Sequence, residues 1–245
     1  LSQGSIVLRM TVVRSTHNAA RLHYNDEDAG IVVIPRHPFS RYKMPSPAAA
    51  QPRGVDLETL QAIISLPDDN RIRSSQNLAR DVFAISFALG GMNYADIYNL
   101  PYSAYKGAFI EYNRTKTKNA RADKALYRVS IVNETRALIE RYFDPAKVQL
   151  FNFHRHHSED SFKTVMGVGM RRIEHILPYK RHYTFYAARH TYASLARNVV
   201  GLDKYTVHEL LNHSDKEMRI TDRYIERDWQ RLFDAHAKIV RLVKW

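Results

Sequence analysis

Four separated pieces of this chain carry residue types that together could cut and rejoin a phosphodiester: Arg114-Thr115-Lys116-Thr117, Tyr186-Ala187-Ala188-Arg189-His190-Thr191, Leu211-Asn212-His213-Ser214 and Thr221-Asp222-Arg223-Tyr224. In chain order they supply a lysine able to protonate a departing oxygen and an arginine whose planar fork clamps an anion. A histidine to hold or move a proton and a tyrosine whose phenol oxygen can attack phosphorus complete the set. Such chemistry calls for no metal, nucleotide or other cofactor. The chain has no cysteine, which excludes disulfides, thiolate metal sites and thiol catalysis.

Each piece alone also fits a structural role. Arg189 lies among small and aromatic residues in a helical stretch, and a buried guanidinium requires an anion or a carboxylate beside it. A salt bridge within the core would satisfy it as well as a phosphate would. Tyr186 shares its helical face. Lys116 falls at the tip or second strand of an expected hairpin, where basic runs are commonly solvated turns. His213 follows Asn212, a residue tolerated in the left-handed conformation past a helix end. Tyr224 is one of 15 tyrosines and stands out by order and by its basic, polar setting. The run His154-Arg155-His156-His157-Ser158-Glu159-Asp160 packs its ligand-type residues side by side without metal-site spacing and reads as a polar loop. No glycine-rich phosphate loop, GxSxG turn or HExxH helix is present.

The elements that must position these residues are mainly helical. Apolar periodicity predicts helices over 12–24, 57–66, 78–89, 95–100, 133–143, 185–198, 205–211 and 229–243, with Gly90-Gly91 stopping the third. Segments 109–112 and 125–131 read as two strands of a hairpin. The Pro- and Ala-rich stretch 43–54 reads as an extended linker, after a leading unit too small to fold alone and expected to be the end of a domain whose first part is absent. With 245 residues and 44% hydrophobic composition, the rest is large enough for one substantial core. No apolar run approaches a membrane span, so a soluble, intracellular protein with no membrane partner is expected. Lys+Arg number 37 against 25 Asp+Glu, a net +12 spread along the chain, which favours a polyanionic partner.

In this order the four pieces resemble the catalytic domain of tyrosine recombinases, the phage-integrase family, with a flavour of integrases from Bacteroides-type mobile elements. The resemblance covers about 54–245 and implies a mainly α fold with a small antiparallel sheet over 55–245. It makes 1–44 the C-terminal part of a helical core-binding domain and 45–54 a linker. It implies Tyr224 as nucleophile, Arg189 as second-box clamp, His213 as third-box histidine and Lys116 as the hairpin lysine. Two positions depart from the family pattern: Tyr186 stands where a histidine is usual, and Asn93 where the first-box arginine should be. Asparagine cannot replace a charged, bidentate guanidinium. Arg80 is the expected substitute. The implied activity is site-specific recombination of double-stranded DNA, integrating or excising a mobile element through a 3′-phosphotyrosyl intermediate. The implied setting is a homotetramer on two duplexes, in the bacterial cytoplasm and at the nucleoid. A non-cleaving DNA-binding protein of the same fold, a type IB topoisomerase and a generic basic helical module are the alternatives.

Overall fold

The structure, a computed structural model, describes residues 3–45, 53–115, 119, 123–178, 182–213 and 224–245. The chain divides into two compact units, Leu1–Pro52 and Arg53–Trp245. The first is built on helix α1 (Gln3–Tyr24), which starts well before the expected residue 12 and buries none of its side chains. A turn follows, in which Asn25 closes a two-way pair with the Ile34 backbone, donating to its carbonyl at 3.0 Å and accepting from its N–H at 2.8 Å.

The larger unit is mainly helical with a two-stranded antiparallel sheet. Helix α2 (Leu57–Ile64) is capped by Asp56, which accepts from the Thr59 N–H at 2.7 Å. Helix α3 (Ser75–Ala88) is capped by Ser74 and is buried from Leu78 to Ala88, so it is the central rod of the core. Gly90 and Gly91 follow it with φ of +71° and +73°, a backbone path only glycine takes without strain. Helix α4 (Tyr94–Asn99) begins at Asn93. Strands β1 (Phe109–Asn113) and β2 (Leu126–Ser130) pair with Tyr112 opposite Tyr127, and alternate residues face the core. Only Arg136–Glu140, α5, is α-helical in the expected 133–143 segment; a 3-10 turn, Asn133–Thr135, precedes it.

The largest departure from the sequence reading is α6 (Glu159–Ile176), in a region where no helix was expected. Ser158, within the presumed polar loop, caps it by accepting from the Ser161 N–H at 3.1 Å. Its glycines obscured it. Gly169 is buried at the α3 crossing, and a Cβ there would sit 1.9 Å from the Ser75 carbonyl oxygen and 2.4 Å from the Ala79 Cβ. Close approach of two backbones selects glycine here against its low helix propensity. Two of the histidines before α6 have local packing partners: the His154 ring lies 4.3 Å from that of Tyr98 and hydrogen-bonds the Tyr98 carbonyl at 3.0 Å, and the His156 ring packs on Phe162.

Helices α7 (Ala187–Asn198), α8 (Lys204–Leu210) and α9 (Trp229–Val240) complete the unit. No helix among the described residues is long and apolar enough to cross a membrane. His236 of α9 is buried between Tyr192, whose hydroxyl lies 2.7 Å from Nδ1, and the Ala88 carbonyl, 3.1 Å from Nε2. A neutral ring that donates from Nε2 and accepts at Nδ1 satisfies both. Burial lowers the pKa of His236 to about 4, against 6.5 for an ordinary histidine. The unfolded chain therefore binds the proton first as pH falls from 6.5 to 4, and stability should drop across that window. The expected loss is about 3 kcal/mol. Urea titrations at several pH values test it: a profile without that drop rejects the assignment, and His236→Gln should flatten the slope.

Candidate functional site

The C-terminal turn of α8 organises the site. The Asn212 N–H reaches the Glu209 carbonyl at 2.8 Å and the His213 N–H reaches the His208 carbonyl at 2.9 Å, the paired bonds of a Schellman ending. Asn212 takes φ +49° and is buried, with its side-chain amide donating to the Ala125 carbonyl at 3.0 Å. Asparagine thus serves as both the left-handed residue and the tie to the hairpin. His213 emerges immediately after it at the surface, with its ring partly shielded from water.

Arg189 comes to the same turn from α7. Its Nη1 donates to the Gly91 carbonyl at 3.2 Å and its Nη2 to the Leu211 carbonyl. Among the described residues its polar partners are therefore carbonyl oxygens, not a carboxylate, although the residue is only 7% exposed. Gly91 permits the approach: a Cβ there would lie 2.7 Å from the Arg189 Cα. Burial lowers the Arg189 pKa, and the neighbouring charge of Arg114 lowers it further. Arginine remains charged at any working pH regardless. Tyr186 precedes α7, half-exposed, with its ring edge-on to His190 at 5.0 Å.

Arg114, just past β1, is the residue to which sequence reasoning gave no role. Its Nη1 lies 3.3 Å from the Leu211 carbonyl, the oxygen that Arg189 also uses, and 3.5 Å from that of Asn212. Asp96 of α4 stands 3.8 Å from its Nε. The phenols of Tyr112 and Tyr127 lie behind these guanidiniums. Burial raises the pKa of both, that of Tyr127 to about 12, and Tyr127 donates to the Leu210 carbonyl at 2.7 Å. His213 is lowered to about 4, first by desolvation and then by the charges of Arg189, His208 and Arg114. At neutral pH its ring is uncharged.

The other expected residues are placed as follows. Lys116 lies outside the described residues, as do Ser214 and 221–223. Tyr224 is 85% exposed, and Ile225 beside it lines, with His213, His208, Lys204 and Arg227, a cleft of about 470 Å³. Asn93 begins α4 without capping it through its side chain. Arg80 is not at this site's carbonyl cluster. Its Nη2 is 2.6 Å from Asp68, its Nε 2.7 Å from Asp81 and its Nη1 bonds the Leu66 carbonyl. All three nitrogens are taken and the charge is already matched by carboxylates.

Comparison with protein-family models, curated proteins and solved structures found no match. The chemistry therefore rests on this geometry and on residue order. Arg80→Ala would strand the buried Asp81, held otherwise by the Tyr142 hydroxyl at 2.7 Å and Arg141 at 3.3 Å. Removing one partner of a buried ion pair costs about 3–5 kcal/mol. Chemical denaturation of this variant should show a loss of that order; a loss below about 1 kcal/mol would place Arg80 outside the core's support.

Proposed function

We propose that the larger unit breaks and rejoins double-stranded DNA by transesterification, as a site-specific recombinase acting through a 3′-phosphotyrosyl link. The observation that carries this reading is the convergence of Arg189, Arg114 and an uncharged His213 on one helix end, with carbonyl oxygens, rather than carboxylates, facing the Arg189 fork among the described residues. Such a group suits a phosphate whose negative charge rises in the transition state. The net charge of +12 agrees with a polyanionic partner.

In the proposed reaction the Tyr224 oxygen attacks phosphorus, the bond to the 5′ oxygen breaks, and phosphate is left on tyrosine at the 3′ side. Lys116 protonates the departing 5′ oxygen. His213 takes up a proton or holds a phosphate oxygen, and Tyr186 donates a hydrogen bond where the family pattern has histidine. Attack by another 5′ hydroxyl reverses the step, and the phosphotyrosyl bond keeps the energy of the bond broken. A homotetramer on two duplexes, at the bacterial nucleoid and independent of membrane, is the assembly this reading entails.

The test uses a library of randomised duplexes, each nicked so that the strand released by attack diffuses away and rejoining is blocked. Covalent protein–DNA adducts retained after denaturation, with DNA attached to the peptide that contains Tyr224, are the expected result. No adduct from any duplex, with salt-sensitive binding preserved, would reject cleavage. That outcome would leave a DNA-binding protein of the same architecture, a reading that Asn93 at the first-box position also favours.

A further inference from the structure

We infer that Arg114 is the second guanidinium of the phosphate clamp, supplying from the hairpin the charge that Asn93 does not supply from the start of α4. The inference rests on the recombinase reading above and assigns a residue to it.

The two guanidiniums are neighbours, because each donates to the Leu211 carbonyl oxygen, Arg114 from 3.3 Å. They arrive from different elements, Arg114 from the end of β1 and Arg189 from α7, so no single helix or strand fixes their spacing; the shared oxygen does. Like charges held this close repel, and a folded chain tolerates them where something negative meets them. Here that role falls to the C-terminal carbonyls of α8 and to Asp96, the carboxylate beside Arg114. Asp96 is itself bonded by the Thr115 N–H at 3.2 Å, which fixes the residue after Arg114 as well. Among the described residues, one carboxylate against two guanidiniums leaves positive charge over. A phosphate in flight between two oxygens presents two non-bridging oxygens, and two forks approaching from different elements match them better than one.

Arg80 lacks these properties. Its charge is offset by Asp68 and Asp81, and its three nitrogens are engaged. Asn93 and Asp96 open α4 one turn apart, so the α4 start contributes a carboxylate that orients Arg114 instead of an arginine of its own.

The experiment measures adduct formation on the duplex sequence recovered from the nicked library, with either a phosphate or a neutral methylphosphonate at the scissile position. Arg114→Gln keeps an N–H donor for the Leu211 and Asn212 carbonyls but removes the charge; Arg114→Lys keeps the charge but not the fork. On phosphate, Arg114→Gln should be slower by about 10²–10³-fold. On methylphosphonate, which carries no charge to be matched, the deficit should shrink to within about tenfold, and Arg114→Lys should fall between. A purely structural arginine would slow both substrates equally, and that result overturns the inference. So does an Arg114→Gln rate within about threefold of the native chain on phosphate, or loss of folding in both variants. If the native chain forms no adduct with any duplex, the recombinase reading itself fails, a result distinct from an active native chain indifferent to Arg114.

Discussion

Tyr224→Phe is expected to eliminate covalent attachment to DNA while leaving DNA affinity and stability unchanged. The substitution removes one oxygen from a side chain that is 85% exposed, so neither packing nor a buried hydrogen bond is lost. A surface change of this kind shifts stability by no more than about 0.5 kcal/mol. The rate, by contrast, loses its nucleophile. Removing the attacking group of a covalent catalyst costs many orders of magnitude, up to roughly 10⁶ where the machinery acts as a unit. Denaturing gels of the trapped complex report the first quantity, and band shifts under native conditions report the second. Adduct from the phenylalanine chain at native yield would remove Tyr224 from the mechanism. Since Tyr205 also lines the cleft with His213, its phenylalanine variant is the matched control and should retain attachment.

Gly169→Ala should be strongly destabilising despite adding a single methyl group. Alanine is favoured over glycine within a helix by about 1 kcal/mol, so propensity alone predicts a gain. The added Cβ, however, would lie 1.9 Å from the Ser75 carbonyl oxygen and 2.4 Å from the Ala79 Cβ, and the first is backbone that cannot turn aside. Separating α3 from α6 would open the core along its central rod. Overpacking of this kind typically costs about 1–3 kcal/mol and more where backbone must move. A net loss of about 2 kcal/mol or more in denaturant unfolding is expected. Gly167, in the same helix, provides the contrast, because a Cβ there meets only the tip of Arg171 at 3.7 Å. Gly167→Ala should raise stability by up to about 1 kcal/mol. Equal effects at the two positions would refute the close α3–α6 crossing.

Capped, periodic segments were the legible part of the fold. Ser74, Asp203 and Asp228 each start a helix near where apolar spacing put one, and the hairpin strands lie within a residue of their expected limits. Helix α6 was hidden because glycine at a helix crossing looks, in sequence, like a loop. The helix over 12–24 was placed too short: α1 already begins at Gln3, and the apolar Ile6, Val7, Leu8 and Met10 of its early turns are not buried. At the site, Arg189, Asn212 and His213 could be singled out by type, order and the left-handed tolerance of asparagine. Arg114 could not be given a role. Its meaning depends on sharing an oxygen with a residue far along the chain, and no local pattern encodes that meeting. The preference for Arg80 came from its position ahead of the apolar stretch 81–89; it lies within α3, where Asp68 and Asp81 pair with its guanidinium.

The Leu211 carbonyl that both guanidiniums use has a further consequence under the proposed chemistry. The clamp is not wholly vacant before DNA arrives: some of its N–H groups already point at the protein's own main chain, and a phosphate competes with that carbonyl for them. Ground-state binding then registers only the difference between a phosphate oxygen and a peptide oxygen, which is small. As charge accumulates on phosphorus during attack, the difference widens, because the peptide oxygen cannot follow it. The helix end thereby acts as a built-in competitor that subtracts from the affinity for intact DNA and leaves the stabilisation of the reacting phosphate largely untouched.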